Sequence, residues 1–109
     1  MMELTDSSAQ VIAERFAALA EPMRLRLLNA LRRGEKSVGD LAEEAGASQA
    51  NTPKHLQLLL QQGFVEKRKE ATTTWYRVAD PAVYELCSLI SAGMDRILEQ
   101  RRKQLRQRR

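Results

Sequence analysis

The residues of this chain with the greatest chemical capacity lie in one short run, Ser48–Gln49–Ala50–Asn51–Thr52–Pro53–Lys54–His55, which is polar, short-chained and amide-rich. The carboxamides of Gln49, Asn51 and Gln57 can pair with an adenine edge in a major groove, and the Lys54 ammonium can reach a guanine edge or a phosphate. Ser48, Thr52 and His55 complete the set of candidate DNA-contacting groups in this run. A second set is cationic: Lys67, Arg68, Lys69 and Arg77 suit phosphates or a minor groove. Taken singly, each set is what a solvated polar helix or an ordinary charged hairpin would carry. Their order and adjacency point to double-stranded DNA.

Catalysis has little to work with. The chain holds one His and one Cys and lacks a Gly-rich phosphate loop or paired catalytic carboxylates, which argues against an enzyme. One Cys and one His also cannot close a tetrahedral transition-metal site within a subunit, so neither a metal nor another cofactor is expected. A single Cys forms no internal disulfide framework. At 109 residues, 43% hydrophobic and 29% charged, the chain reads as one folded domain over 1–109. No apolar run is long enough to span a bilayer and no signal-peptide pattern opens the chain, so no membrane partner is expected and the location is cytoplasmic, associated with the nucleoid.

The net charge of +4 is a property of the tail. Residues 101–109 read RRKQLRQRR, with six basic residues and no acid, whereas residues 1–100 hold 12 Lys+Arg against 14 Asp+Glu. This basic C-terminal segment suits either nonspecific phosphate contact or a solvated helix end whose cations match the helix dipole.

The elements that must position these groups follow from periodicity. Val11, Ile12, Phe16 and Leu19 recur at helical spacing over 7–20, and Pro22 opens a second, leucine-dense helix that stops near Gly34. Ser37 is a candidate N-cap for a third helix ended by Gly46, and a fourth runs through Lys54–His55–Leu56 to Gln62. Leu56 and Leu59 anchor that helix inward, leaving Lys54, Gln57 and Gln61 on its outer face. Two starts are open, at Ser48 or at Thr52; the first puts Pro53 past the first turn, and the second puts it at the head of the helix. Phe64–Lys69 and Thr73–Val78, joined by a short polar link, read as a hairpin. Asp80 and Pro81 then cap and open a last helix. The pattern predicts a mainly α fold with a small β-hairpin (α+β), a winged helix-turn-helix of about five helices and a two-stranded wing.

The last helix bears an apolar stripe within a narrow arc, a face too apolar for a surface helix in so short a chain. Val83, Leu86, Cys87, Ile90, Met94 and Ile97, with Val11 and Phe16 of the first helix, form the expected homodimer interface, built from 7–20 and 81–100. A two-fold dimer sets two reading helices one DNA turn apart, which suits a palindrome.

Residues Phe16 to Leu89 resemble the arsenic-repressor (ArsR/SmtB) family of bacterial transcriptional repressors. F-A-A-L-A-E-P-M-R-L-R-L-L is similar to the opening of that family's second helix, S-V-G-D-L-A-E-E-A-G-A-S-Q-A-N-T-P-K-H-L-Q-L-L to its helix-turn-helix, and G-F-V-E-K-R-K-E-A-T-T-T-W-Y-R-V to its wing. The resemblance implies a dimeric repressor of a palindromic operator that releases DNA on sensing a metal or another signal. The sensing residues depart from the pattern. Metalloid sensors carry C-V-C-D-L where this chain has Ser37–Val38–Gly39–Asp40–Leu41, and the last helix has Asp95 and Glu99 but none of the zinc sensors' histidines. Cys87 matches one member of a sulfur-sensing cysteine pair whose other member is absent. The expected signal is therefore non-metal, thiol-based at Cys87, or there is none and repression is constitutive; Cys87 can equally pack as a small hydrophobe. Two other functions compete: a winged-helix protein-interaction module, and a sequence-indifferent architectural DNA-binding protein.

Overall fold

Polar side chains cap most of the helix starts of this chain, as shown by a computed structural model that describes residues 4–107. Helix α1 (Asp6–Leu19) opens on a capping box in which the Thr5 hydroxyl accepts from the Ser8 amide and the Ser8 hydroxyl accepts from the Thr5 amide. Helix α2 (Pro22–Ala30) has Pro22 at its start and the Glu21 carboxylate on the Arg24 amide. A 3-10 turn, Leu31–Arg33, follows and ends at Gly34, whose φ of 143° excludes most side chains. Strand β1 (Lys36–Ser37) leads directly into α3 (Val38–Ala45), capped by the Ser37 hydroxyl and stopped by Gly46 in the left-handed region. Then come α4 (Thr52–Gln61), β2 (Val65–Glu70), β3 (Thr73–Val78) and α5 (Ala82–Gln107).

The five helices and the hairpin match the expected winged helix-turn-helix, with one correction. The sheet has three antiparallel strands in the order β1-β3-β2, because Lys36 pairs with Tyr76 and Ser37 with Trp75. Two residues are too few to show strand alternation, and Ser37 serves at once as strand residue and helix cap. The hairpin is closed by the two residues Ala71 and Thr72 between the paired Glu70 and Thr73, with Ala71 at φ 55°.

One apolar core joins these elements. Leu27 and Leu28 from α2, Leu41 from α3, Leu56 and Leu59 from α4, Phe64, Val65 and Tyr76 of the sheet region, and Val83 of α5 are all buried together. Helix α5 touches this body only near its start. There Val83 enters the core, Leu86 packs against it, and the Tyr84 hydroxyl donates to the Leu28 carbonyl oxygen at 2.6 Å. Arg15 on α1 pairs with Asp80 at 3.1 Å and stacks over the Phe64 ring, while Asp80 also accepts from the Ala82 amide. Asp80 is therefore the expected N-terminal cap of α5. The rest of α5 is exposed and extends to Gln107, so residues 101–107 of the basic segment continue the helix; residues 108–109 lie outside the described residues. Among the described residues, no helix is long and apolar enough to cross a membrane.

Candidate nucleic-acid interface

The local sequence places α4 with its polar edge outward. Its helical start is Thr52, so Pro53 occupies the first turn, where no intrahelical N–H partner is lost. Ser48–Asn51 form a turn ahead of it. The Ser48 hydroxyl accepts from the Asn51 amide at 3.2 Å, and the Ser48 carbonyl oxygen accepts from the Thr52 amide at 3.1 Å and the Thr52 hydroxyl at 2.8 Å. With Thr52, Leu56 and Leu59 buried, the 100° advance per residue turns Lys54, Gln57 and Gln61 to solvent. Gln49 and Asn51 stand exposed on the preceding turn, and Ser48 is exposed but committed to holding that turn.

One expected contact residue, Thr52, is corrected, and a second, His55, is placed. Thr52 has no exposed surface, and its hydroxyl is spent inside the turn, so it organises the helix start instead of standing on the outer face. His55 lies on the scaffold side of α4, where its Nδ1 is 3.3 Å from Arg24 Nη1 and 3.9 Å from a Glu21 oxygen. Only about a fifth of its side chain is exposed: 19%.

The wing divides into two chemically different faces. Alternation along β2 puts Lys67 and Lys69 on the face of Val65 and the paired Tyr76, and Glu66, Arg68 and Glu70 on the opposite face with Trp75 and Arg77. Lys67 and Lys69 are exposed and carry no ion pair among the described residues. Arg68 is heavily engaged: it donates to both carboxylate oxygens of Glu35 at 2.6 and 2.8 Å and to Glu70 at 2.7 Å, and its guanidinium sits over Trp75. Arg77 donates to Glu66 at 2.7 and 3.1 Å. Hydrogen bonding to Arg68 holds the Glu35 carboxyl below its ordinary range, and the Glu66 bonds raise Arg77. The two wing arginines are thus internally neutralised and the two lysines are not. Glu35 lay outside the sequence expectations because its contact spans 33 positions. Glu66 was readable in principle: once the turn is fixed at Ala71–Thr72, register places it opposite Arg77.

Of the residues expected at a dimer interface, Val11, Phe16, Ile90, Met94 and Ile97 are exposed, together with Leu89, Leu98 and Leu105. Val83 is corrected: it is 3% exposed and serves the protomer's own core, and Leu86 leans on the same core. Cys87 is exposed and does not pack as a buried small hydrophobe within the protomer. It borders a groove between α2 and α5 with Leu25, Leu28, Arg32 and Tyr84.

A helix-turn-helix of α3 and α4 followed by a basic hairpin defines a winged helix-turn-helix DNA-binding protein. Residues 21–67 match the arsR family of bacterial regulatory proteins. The chain is 40% identical over 74 residues to the protein named probable mercury resistance operon repressor of Streptomyces lividans, covering 68% of this chain and 59% of that one. It is 35% identical over 83 residues to nodulation protein NolR of Rhizobium meliloti, covering 76% of this chain and 68% of that one. Among solved structures, NolR from Sinorhizobium fredii superposes with a TM-score of 0.74 at 32% identity, covering 84% of this chain and 95% of that one. A homodimeric winged helix-turn-helix DNA-binding domain from Mycobacterium bovis gives 0.72 at 33%, covering 92% and 95%. The chain belongs to the arsR family: it is a DNA-binding transcriptional regulator and not an enzyme.

Proposed function

We propose that this protein is a homodimeric repressor that reads a palindromic operator in cytoplasmic, nucleoid DNA. The observation that carries this is the outward row Lys54, Gln57 and Gln61 on α4, followed in the chain by the exposed wing residues Lys67 and Lys69, which carry no ion pair among the described residues. Amides and a lysine on the outer edge of a reading helix supply base-edge recognition, and the wing lysines supply phosphate contact. Relatives that bear the name of repressor, and the homodimeric state of the M. bovis neighbour, support the same reading. Val11 and Phe16 of α1 and Ile90, Met94 and Ile97 of α5 offer the apolar surface for the two-fold contact.

The signal that releases DNA in this proposal is not a chelated metal, since the chain departs from the metal sensors at Ser37, Gly39 and along α5. A thiol route runs through Cys87; otherwise the signal is another non-metal one, or repression is constitutive. Selection of a binding sequence from random duplexes, followed by competition against random DNA, tests the core of the reading. A selected palindrome is expected to win by at least about a thousand-fold, and parity would refute operator recognition. Measuring that affinity with Cys87 reduced, peroxide-oxidised and replaced by Ser separates the signals. A loss confined to oxidised wild type assigns the thiol; equal affinities remove redox control and leave partner binding, a small-molecule signal or constitutive repression.

A further inference from the structure

Arg24 stands at the meeting point of three helices. Its Nε donates to the Ala18 carbonyl oxygen at 2.5 Å and its Nη2 to that of Ala17 at 3.2 Å, both in the last turn of α1. Its Nη1 lies 3.3 Å from Nδ1 of His55 on α4. Its own amide is held by the Glu21 carboxylate at 3.1 Å, and the same Glu21 oxygen is 3.9 Å from His55 Nδ1. Carbonyls in the last turn of a helix carry the negative end of the dipole and, although Ala17 also accepts from the Ala20 amide, they have acceptor capacity to spare, so a guanidinium there is well matched. The rigid fork of Arg serves carbonyls and imidazole at once, which a lysine could not do.

The two ends of this bridge do different jobs. Helix α1 carries Val11 and Phe16 of the expected dimer surface, and α4 carries Lys54, Gln57 and Gln61. His55 is only partly exposed, and among the described residues it is the polar side chain of α4 that reaches back to α2. We infer that Arg24, acting through His55, is the positioning residue of the reading helix: it fixes α4 to the dimerisation helix so that the spacing of the two reading helices in the dimer is set. The inference rests on the operator reading above. A loose α4 would still meet phosphates, so the expected defect is in discrimination and not in general DNA affinity.

A double-mutant cycle on the full chain tests it, using Arg24→Gln, His55→Leu and the double variant against the selected palindrome and random duplex. Each single change is expected to weaken palindrome binding about ten-fold, the order set by one charge-assisted hydrogen bond. The double variant should be no weaker than the weaker single, and affinity for random duplex should move less than about two-fold. His55→Gln, whose carboxamide oxygen can accept from Arg24, should restore most of what His55→Leu loses. Multiplying effects in the double variant, or equal losses on random duplex, would overturn the inference. Should Arg24→Gln fail to fold, the His55→Leu and His55→Gln pair decides alone: indistinguishable losses overturn the bridge. A wild-type protein that does not discriminate the palindrome sinks the operator reading itself, a different outcome from a wild type that discriminates with an uncoupled cycle.

Discussion

Arg68 grips Glu35 through two parallel hydrogen bonds, Nη2 to Oε1 at 2.6 Å and Nε to Oε2 at 2.8 Å, tying the wing to the residue before β1. Bidentate pairs of this kind fix orientation as well as distance. The pair joins β2 to the segment that enters β1 across the sheet, and it withholds from phosphate the wing residue most suited to bind it.

Freeing that arginine should strengthen DNA binding. Glu35→Gln removes the competing charge while keeping the shape, and affinity for duplex DNA is expected to rise several-fold with a salt slope steeper by about one. Lys67→Ala and Lys69→Ala should each flatten the slope by about the same amount. Titration of binding against potassium chloride checks both; an unchanged slope in Glu35→Gln would show that Arg68 stays committed to Glu70.

The same pair predicts a pH dependence of definite sign. The Glu35 carboxyl is depressed chiefly by its hydrogen bonds to Arg68. A depressed carboxyl contributes stability that is present above its unfolded pKa and is lost as pH falls through its folded pKa. The wing tie should therefore persist through the ordinary glutamate titration range and open only at lower pH. Carboxyl NMR should show a Glu35 inflection below the ordinary range that returns to it in Arg68→Ala.

Much of this was legible in the chain. Helix ends written in Ser37, Gly46, Asp80 and the leucine periodicities fell where local chemistry put them, because caps and apolar stripes act over one or two turns. The parts that escaped depend on distant partners. Thr52 looks like a DNA contact in a polar run, yet tertiary packing swings it inward, and Ser48 is what makes that possible. The strand at Lys36–Ser37 has no pattern of its own and exists only because Tyr76 and Trp75 lie beside it. Arg24 carries no signal in the sequence, because its partners Ala17, Ala18 and His55 lie on other helices.

Thr52 and Lys54 should accordingly separate stability from binding. Thr52→Val keeps the volume but leaves the Ser48 carbonyl oxygen without the hydroxyl, at a cost of about 1 kcal/mol by urea unfolding. Its effect on DNA should follow from that loss alone. Lys54→Ala should leave unfolding unchanged and weaken DNA binding, and Gln57→Ala should relax preference at one base position by about 1–3 kcal/mol.

The apolar stripe of α5 divides in the same way, and that division offers the sharpest test of assembly. Val83 is buried within one protomer, whereas Met94 and Ile97 are 53% and 44% exposed. Val83→Ala should cost about 2 kcal/mol of folding stability from lost burial and a partly relaxed cavity, with the dimer intact wherever the protein is folded. Ile97→Glu, by contrast, leaves the isolated protomer's core untouched and places a charge where the partner's apolar surface is expected. Sedimentation should then report a folded monomer, and palindrome affinity should fall steeply, because one reading helix contacts only one half-site. A stable dimer in Ile97→Glu would move the two-fold contact off α5, while an unfolded chain would show that this stretch of α5 is needed for the protomer itself.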